Sequence, residues 1–435
     1  MSQLKDVFSF PVEKMVAFST YMRKQMEAGL VGAESDLKMV PSFVSSLATG
    51  DEVGLALAIE MRGSKVCVSK IHLQGGGRAT VERSISHSLS PALKSGASED
   101  LFSFVAECVS EVDPENGIKA GFSFSYPCNT VSLKSGVLLE WTKGMNVPDA
   151  IGKDPVKLLE EQLQKRGINV QIVAMCNDSV ATLMAHSYNT NTACVGVVLG
   201  SGTNAAYVEL VSNIPKLHTE IASPTMVISM EWGALGNHDH SFLPVSFLDE
   251  EIDSHTLNPG RQYLEKMMSG CYLGEITRLW MRHLRQENKL LSRTPLQNCL
   301  FCERYCFDSP LCTTILLDDS EEREEIRSIL ESFGISDSTT EDRNTIREIV
   351  DSVITRSARL MGASLFCVLS HMRENGLGGS VGVDGSVYRC VPGYKARVLK
   401  ALAELGMDNV SIGMATDGTS KGVALIAYAS CNPFV

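Results

Sequence analysis

Three short stretches constrain the fold of this chain more than anything else in it. Residues 56–68 read ALAIEMRGSKVCV, residues 192–210 read TACVGVVLGSGTNAAYVEL, and residues 381–390 read VGVDGSVYRC. Each runs from an apolar, strand-length segment into a turn of glycine, hydroxyl and charged residues and out again, which predicts three β-hairpins. The first two lie about 140 residues apart, a domain-sized repeat rather than the short period of a solenoid. Duplication on that scale predicts two similar lobes, each offering one turn to a ligand held between them. Turns of this composition can present successive backbone amides to an anion.

The intervening segments alternate helix and strand. Phe8, Val12, Met15, Val16, Phe18, Met22 and Met26 recur near helical spacing, and Pro41 closes that region. The first hairpin spans 54–73 and ends at Gly75, Gly76 and Gly77. Helical spacing with acids in the first turn covers 97–112, and GFSFSYP at 121–127 reads as a strand. Asp154-Pro155 opens a helix stopped by Gly167, and VQIVAMCND at 170–178 follows as a buried strand. This alternation indicates an α/β architecture. Helices dominate the second half, over 262–286 and 345–373, and SKGVALIAYAS is a last helix entered through DGTS.

Composition narrows the function classes. At 435 residues the chain can hold two or three domains with a cleft between them, and its 44% apolar and 21% charged content is that of a globular protein. A formal charge of −12 argues against a broad nucleic-acid-binding face. Thirteen scattered cysteines fit free thiols in a reducing compartment. The opening residues lack a basic segment followed by an apolar one, and the longest apolar run, in RLMGASLFCVLSH, is about half a membrane span, so a cytoplasmic protein is expected. Cys299, Cys302, Cys306 and Cys312 begin like a zinc site, yet no second pair follows at ligand spacing. His238 and His240 read as a solvated loop, and the acidic run at 318–328 as a solvated helix start.

The chemistry-bearing residues cluster in a few motifs. In LGSGTN, 199–204, Gly200 and Gly202 let amides approach an anion while Ser201 and Thr203 add donors; a plain tight hairpin is the alternative. Asn177-Asp178 ends a buried strand, where open α/β sheets place ligand-contacting groups. An aspartate there either accepts a proton from an attacking hydroxyl or caps the helix that follows. Ser125 in SFSYPC, Thr142 and Lys143 in WTKG, Glu231 in MEWGALG, and Gln262 and Glu265 in NPGRQYLEKMMSG supply the mixed donors and acceptors that a polyol needs.

Taken in order, LKMVPSFV, GFSFSYPC, WTKG, CND, LGSGTN, MEWGALG, NPGRQYLEKMMSGCYLGEITR, VGVDGSVY and DGTSKG resemble the eukaryotic-type hexokinase family over nearly the whole chain. The resemblance implies an α/β fold of two actin-like (ribonuclease H-like) lobes around a central cleft, and ATP- and Mg2+-dependent phosphorylation of a glucose-like hexose at its 6-hydroxyl. It implies a smaller lobe over 1–187, with the first phosphate hairpin and sugar-binding segments, and a larger lobe over 188–435 whose last helix returns to the smaller one. Sugar contacts are implied from Ser125, Thr142, Lys143, Asn177, Asn204, Glu231, Gln262 and Glu265, with Asp178 as the base and Lys143 beside it in catalysis. Gly200, Ser201, Gly202 and Thr203 would hold ATP phosphates, and Gly382, Asp384, Gly385, Ser386, Asp417, Gly418, Ser420 and Lys421 would lie along the nucleotide. Hexose and ATP are the implied partners, without nucleic acid, membrane or a protein-held metal.

The first hairpin departs from the family's D-L-G-G-T-N-x-R. Here the residues are Glu60, Met61, Arg62, Gly63, Ser64, Lys65, Val66 and Cys67. A side chain at Arg62 hinders the close backbone approach that glycine permits. Glu60 retains an oxygen donor for a hydrated Mg2+, and Arg62 and Lys65 add cations suited to phosphate. An active hexokinase is the reading; a catalytically weak, hexokinase-like sugar sensor is the alternative.

Overall fold

The apolar alternation of the sequence becomes strands in the computed structural model, which describes residues 2–63, 65–142, 144–415 and 418–431. In chain order these are β1 (Val40–Pro41), β2 (Val53–Met61), β3 (Lys65–Gln74), β4 (Ala79–Ser88), β5 (Ile118–Phe124), β6 (Cys128–Ser132), β7 (Ser135–Leu138), β8 (Val170–Cys176), β9 (Ala193–Leu199), β10 (Thr203–Leu210), β11 (Thr225–Ser229), β12 (Ser380–Asp384) and β13 (Ile412–Met414). A five-stranded sheet has the order β4-β3-β2-β5-β8, and a six-stranded sheet the order β1-β11-β10-β9-β12-β13. β6 and β7 pair by themselves.

The first hairpin pairs β2 with β3 from Val53 opposite Gln74 to Met61 opposite Val66, and Arg62 N closes it on Lys65 O at 2.9 Å. Because a strand sends alternate side chains to opposite faces, β2 is buried twice over. Leu57, Ile59 and Met61 join the core under helices Ser98–Glu111 and Pro155–Lys165, while Ala56 and Ala58 meet the last helix, Gly418–Cys431. That helix also packs on helix Asp178–Thr190, which in turn lies on β9, so the two helices form the layer between the sheets.

The second hairpin is β9–β10, with Leu199 opposite Thr203. The third stretch is not a hairpin. β12 runs parallel to both β9 and β13, and the chain leaves it as helix Ser386–Cys390. A parallel neighbour requires a crossover, so no strand can follow directly. The turn is made at Gly385, where φ is 123° and a β-carbon would overlap the Leu199 carbonyl.

Packing does not follow the 187/188 division at the start of the chain. Met15, Phe18, Met22 and Met26 of helix Val12–Val31 share the core of the six-stranded sheet with helix Thr340–Glu374, and β1 pairs with β11. The last helix lies against β2 and β5 of the other sheet. Helix Thr340–Glu374 contains an 18-residue window of mean hydropathy 1.3, which is 78% buried, so its apolar length serves the core. Helix Glu324–Ser332 begins in the acidic run, but Asp318 is buried there, accepting from Ser320 N at 3.2 Å and Ile326 N at 3.1 Å.

Candidate active site

β8 leads into Asn177 and Asp178, beside a pocket lined by Asn177, Ser229 and Glu231. Asn177 takes the capping role, its Oδ1 accepting from Ser179 N at 3.0 Å and Ser179 Oγ at 2.9 Å. Asp178 is thereby released from capping. Its half-buried carboxylate sits in the first turn of helix Asp178–Thr190, where the helix dipole favours the anion, and has no hydrogen-bond partner among the described residues.

Asn204, the second residue of β10, ties this turn to the loop after β11. Its Nδ2 donates to Asn177 Oδ1 at 3.1 Å, Ser229 Oγ at 3.1 Å and Glu231 Oε1 at 2.9 Å, and its Oδ1 accepts from Glu231 N at 3.0 Å. Asn177 Nδ2 also reaches Glu231 Oε1, at 3.4 Å. Glu231 and Gln262 both hold left-handed backbone, with φ of 57° and 61°. Such conformations cost roughly 1–3 kcal/mol each outside glycine and persist where the surroundings enforce them. Here Asn204 fixes Glu231, and Asn237 Oδ1 accepts Gln262 N at 2.8 Å. The buried Lys266, paired with Asp253 at 2.7 Å, anchors the segment carrying Gln262 and Glu265. His238 Nδ1 meets Asp36 at 2.5 Å and His240 stacks on Tyr263, so this histidine pair braces the loop.

The residues expected as one helix over 262–286 form two, Tyr263–Met268 and Gly270–Gln286, parted at Ser269. The break has a use: it turns Gly270 N onto Gly200 O at 2.7 Å and Cys271 N onto Ser201 O at 3.4 Å. Glu265 Oε2 accepts Thr203 N at 2.9 Å, and a β-carbon at Gly202 would stand 2.5 Å from that oxygen. The Thr203 hydroxyl faces inward, donating to Val198 O and accepting from Trp232 Nε1, both at 3.0 Å. Ser386 and Gly385 abut Gly200, so the turns after β9 and β12 lie side by side, with Gly382 and Asp384 on the strand leading in. Burial pushes the Asp384 carboxyl up, against the lowering effects of the Gly385 amide, Arg389 and Arg62.

In the first hairpin Glu60 is 1% exposed. Its Oε2 accepts from Arg62 Nε at 3.0 Å and from Nη2, and its Oε1 accepts from Ser420 Oγ of the last helix. Burial opposes the charge of Arg62, and Glu60, Cys67 and Asp178 outweigh it, so the guanidinium is held more firmly protonated than usual. Lys65 is exposed at the turn beside Gly63, Gly418 lies near Asp384, and Lys421 donates to Asn189 at 3.5 Å.

Ser125 is buried where β5 ends, next to Tyr126, whose ring packs on Trp141 with centroids 4.8 Å apart; Thr142 follows, half-buried. Lys143, Ser64 and Asp417 lie outside the described residues. Sequence reasoning missed Ser229 and Asn237. Ser229 interrupts the apolar run MVISM and Asn237 follows the glycine that closes MEWGALG, and those interruptions were the available signal.

Two family models, both described as hexokinase, match residues 1–188 and 194–429. Hexokinase-7 of Oryza sativa subsp. japonica is 33% identical over 453 residues, covering 99% of this chain and 96% of that protein. A chloroplastic hexokinase-2 of Nicotiana tabacum is 34% identical, covering 97% of this chain and 87% of that protein. A solved hexokinase from Schistosoma mansoni complexed with glucose is 28% identical with a TM-score of 0.89, covering 98% of this chain and 97% of that one. Matched in both halves and along its length, the chain belongs to the eukaryotic-type hexokinase family, two-lobed phosphotransferases that phosphorylate a hexose with ATP.

Proposed function

We propose that this hexokinase transfers the γ-phosphoryl group of ATP to the 6-hydroxyl of a glucose-like hexose. The sugar oxygen bonds to phosphorus as the bond to the ADP oxygen breaks, and the hydroxyl proton goes to Asp178. The observation that carries this reading is the polar network of Asn177, Asn204, Ser229 and Glu231 beside the uncapped Asp178 carboxylate. A sugar hydroxyl needs a donor and an acceptor together, and amides next to a carboxylate supply both. Ser125, Thr142, Lys143, Gln262 and Glu265 complete the proposed sugar set, and Lys143 assists at the reacting hydroxyl. Gly200, Ser201 and Gly202 with Gly385, Ser386, Gly418 and Asp417 are the proposed nucleotide contacts; the inward hydroxyl of Thr203 leaves that residue a bracing part.

Carboxylate oxygens at Glu60, Asp178 and Asp384 are hard donors that suit Mg2+ and the water around it. Held there with ATP, Mg2+ would supply positive charge against that of the phosphates. The remaining work belongs to the chain: aligning the hydroxyl, taking its proton and excluding water as a competing acceptor. The free thiols support a reducing compartment, as the cytoplasm provides.

A coupled ADP-release assay with glucose, fructose and mannose tests the proposal. Asp178→Asn is expected to lose about 10²–10⁴-fold in turnover. Glucose should still alter tryptophan fluorescence in that variant, since Trp232 follows Glu231 directly and binds Thr203. Unchanged turnover in Asp178→Asn would remove Asp178 as the base.

A further inference from the structure

Arg62 stands where the turn would otherwise let its backbone approach a phosphate, and its guanidinium meets the buried carboxylate of Glu60. Two of its nitrogens converge on one oxygen of the buried Glu60, and Nη1 has no hydrogen bond among the described residues. The side chain is 42% exposed, so the cation is at once anchored and open to solvent. Ser420, which donates to Glu60, lies two residues from Gly418, where a β-carbon would stand 3.6 Å from Asp384, so Glu60 and Asp384 share one neighbourhood, and the charge of Arg62 bears on Asp384 as that of Asp178 bears on Arg62. Arg389 comes within 3.6 Å of Asp384.

A triphosphate arriving beside these groups brings several negative charges to a place that already holds carboxylates. A guanidinium is the side chain best able to answer that, because it stays charged and offers paired donors to phosphate oxygens. Resting on the proposed reaction, we propose that Arg62 is itself a phosphate-contacting residue. It sits on Glu60 while the cleft lacks nucleotide and passes to the transferring phosphoryl group when ATP enters. Glu60 and Ser420 are positioning residues that hold its starting point. The same movement frees a Glu60 oxygen, so recruitment of the arginine and release of the carboxylate are one event. The turn thus trades a backbone amide contact for a side-chain cation.

The test uses the full chain as wild type, Arg62→Gly and Arg62→Lys. Calorimetric titration with metal-free ATP, in EDTA, should show binding that weakens about tenfold or more in Arg62→Gly and less in Arg62→Lys. With Mg-ATP and glucose, Arg62→Gly should lose about 10²–10³-fold in kcat, the scale of removing one donor to developing charge, with the glucose KM little changed. Arg62→Gly binding metal-free ATP as well as wild type, or turning over as fast or faster, would make Arg62 an obstruction and overturn the proposal. Should Arg62→Gly fail to show the glucose fluorescence change of a folded protein, Arg62→Lys and Arg62→Met carry the same two measurements. Wild type that binds glucose yet releases no ADP with any hexose would refute the proposed reaction instead, and the metal-free titration would still decide the role of Arg62.

Discussion

Replacing Asn204 by aspartate tests the polar network at its centre. The substitution keeps the shape of the side chain and the oxygen that accepts Ala205 N at 2.7 Å and Glu231 N at 3.0 Å. It places a carboxylate oxygen where Nδ2 now donates, 2.9 Å from Glu231 Oε1. Two unit charges about 4 Å apart repel by roughly 4 kcal/mol at the effective dielectric of a partly buried site. The pair can escape by binding a proton, at about 1.4 kcal/mol for each pH unit above the ordinary carboxylate value near 4. At pH 8 that escape costs about 5 kcal/mol and the repulsion stands; at pH 5 it costs about 1 kcal/mol and the pair protonates. Loss of the donated bonds adds about 1–3 kcal/mol at either pH.

The sign follows from proton counting. A carboxylate pair whose folded proton affinity is raised binds more protons folded than unfolded, so stability is lost as pH rises through the folded value. Urea unfolding of wild type and Asn204→Asp at pH 5 and pH 8 should give a stability difference about 3 kcal/mol larger at pH 8. Glucose affinity should be lost at pH 8 and partly regained at pH 5. Asn204→Ala, which adds no charge, should show a loss that does not vary between the two. An Asn204→Asp penalty equal at both pH values would mean that the amide does not face Glu231, and the reasoning would fail.

Three further outcomes are expected. Gly202→Ala drives Glu265 off the Thr203 amide, so the glucose KM should rise about tenfold, the worth of one bond to a charged group, while thermal unfolding changes little. Burial pushes the Lys216 ammonium down to about 8 where it donates to Gly29 O and Lys38 O, so the unfolded chain binds more protons between about pH 8 and the free-lysine value. Wild-type stability measured against Lys216→Met should therefore increase with pH across that window. Burial pushes the Cys108, Cys194, Cys312 and Cys367 thiols up to about 12, so iodoacetamide at pH 8 should label Cys271, Cys302, Cys390 and Cys431 first, as mass spectrometry would report.

The hairpins at 53–74 and 193–210 were legible because glycine-bearing turns interrupt strand-length apolar runs, and a local pattern fixes a local turn. VGVDGSVYRC carries the same pattern and forms strand and helix, because the direction of a strand is set by its neighbours, β9 and β13, far away in sequence. Asn177 and Asp178 are both capable caps, and only the path out of β8 gives the cap to Asn177 and leaves the Asp178 carboxylate out of it. The place of Thr203 in LGSGTN predicts a donor to phosphate; the period of β10 instead turns it under Trp232. Which core the first forty residues join was likewise unreadable, since a helix with an apolar stripe records that it packs and not against what.

The two largest changes in the first turn, Glu60 and Arg62, act as a single change. β2 is locked in register on both sides, Glu60 opposite Cys67 and opposite Ser123, so its backbone cannot shift to suit a longer acid. The extra methylene of glutamate over aspartate must be taken up by the side chain, which reaches Ser420 on the last helix. A carboxylate so buried, with a hydroxyl alone for company, would carry a desolvation cost that one neutral bond does not offset. Arg62 removes that cost by standing two residues on, where strand alternation brings side chains to the same face. Glu60 therefore requires its cation whenever the cleft lacks one, and a nucleotide that draws Arg62 away must leave Glu60 facing either water or a new cation. The turn that looks eroded beside its glycine-rich counterpart after β9 is, in these terms, a charge-balanced pair whose balance ATP is built to upset.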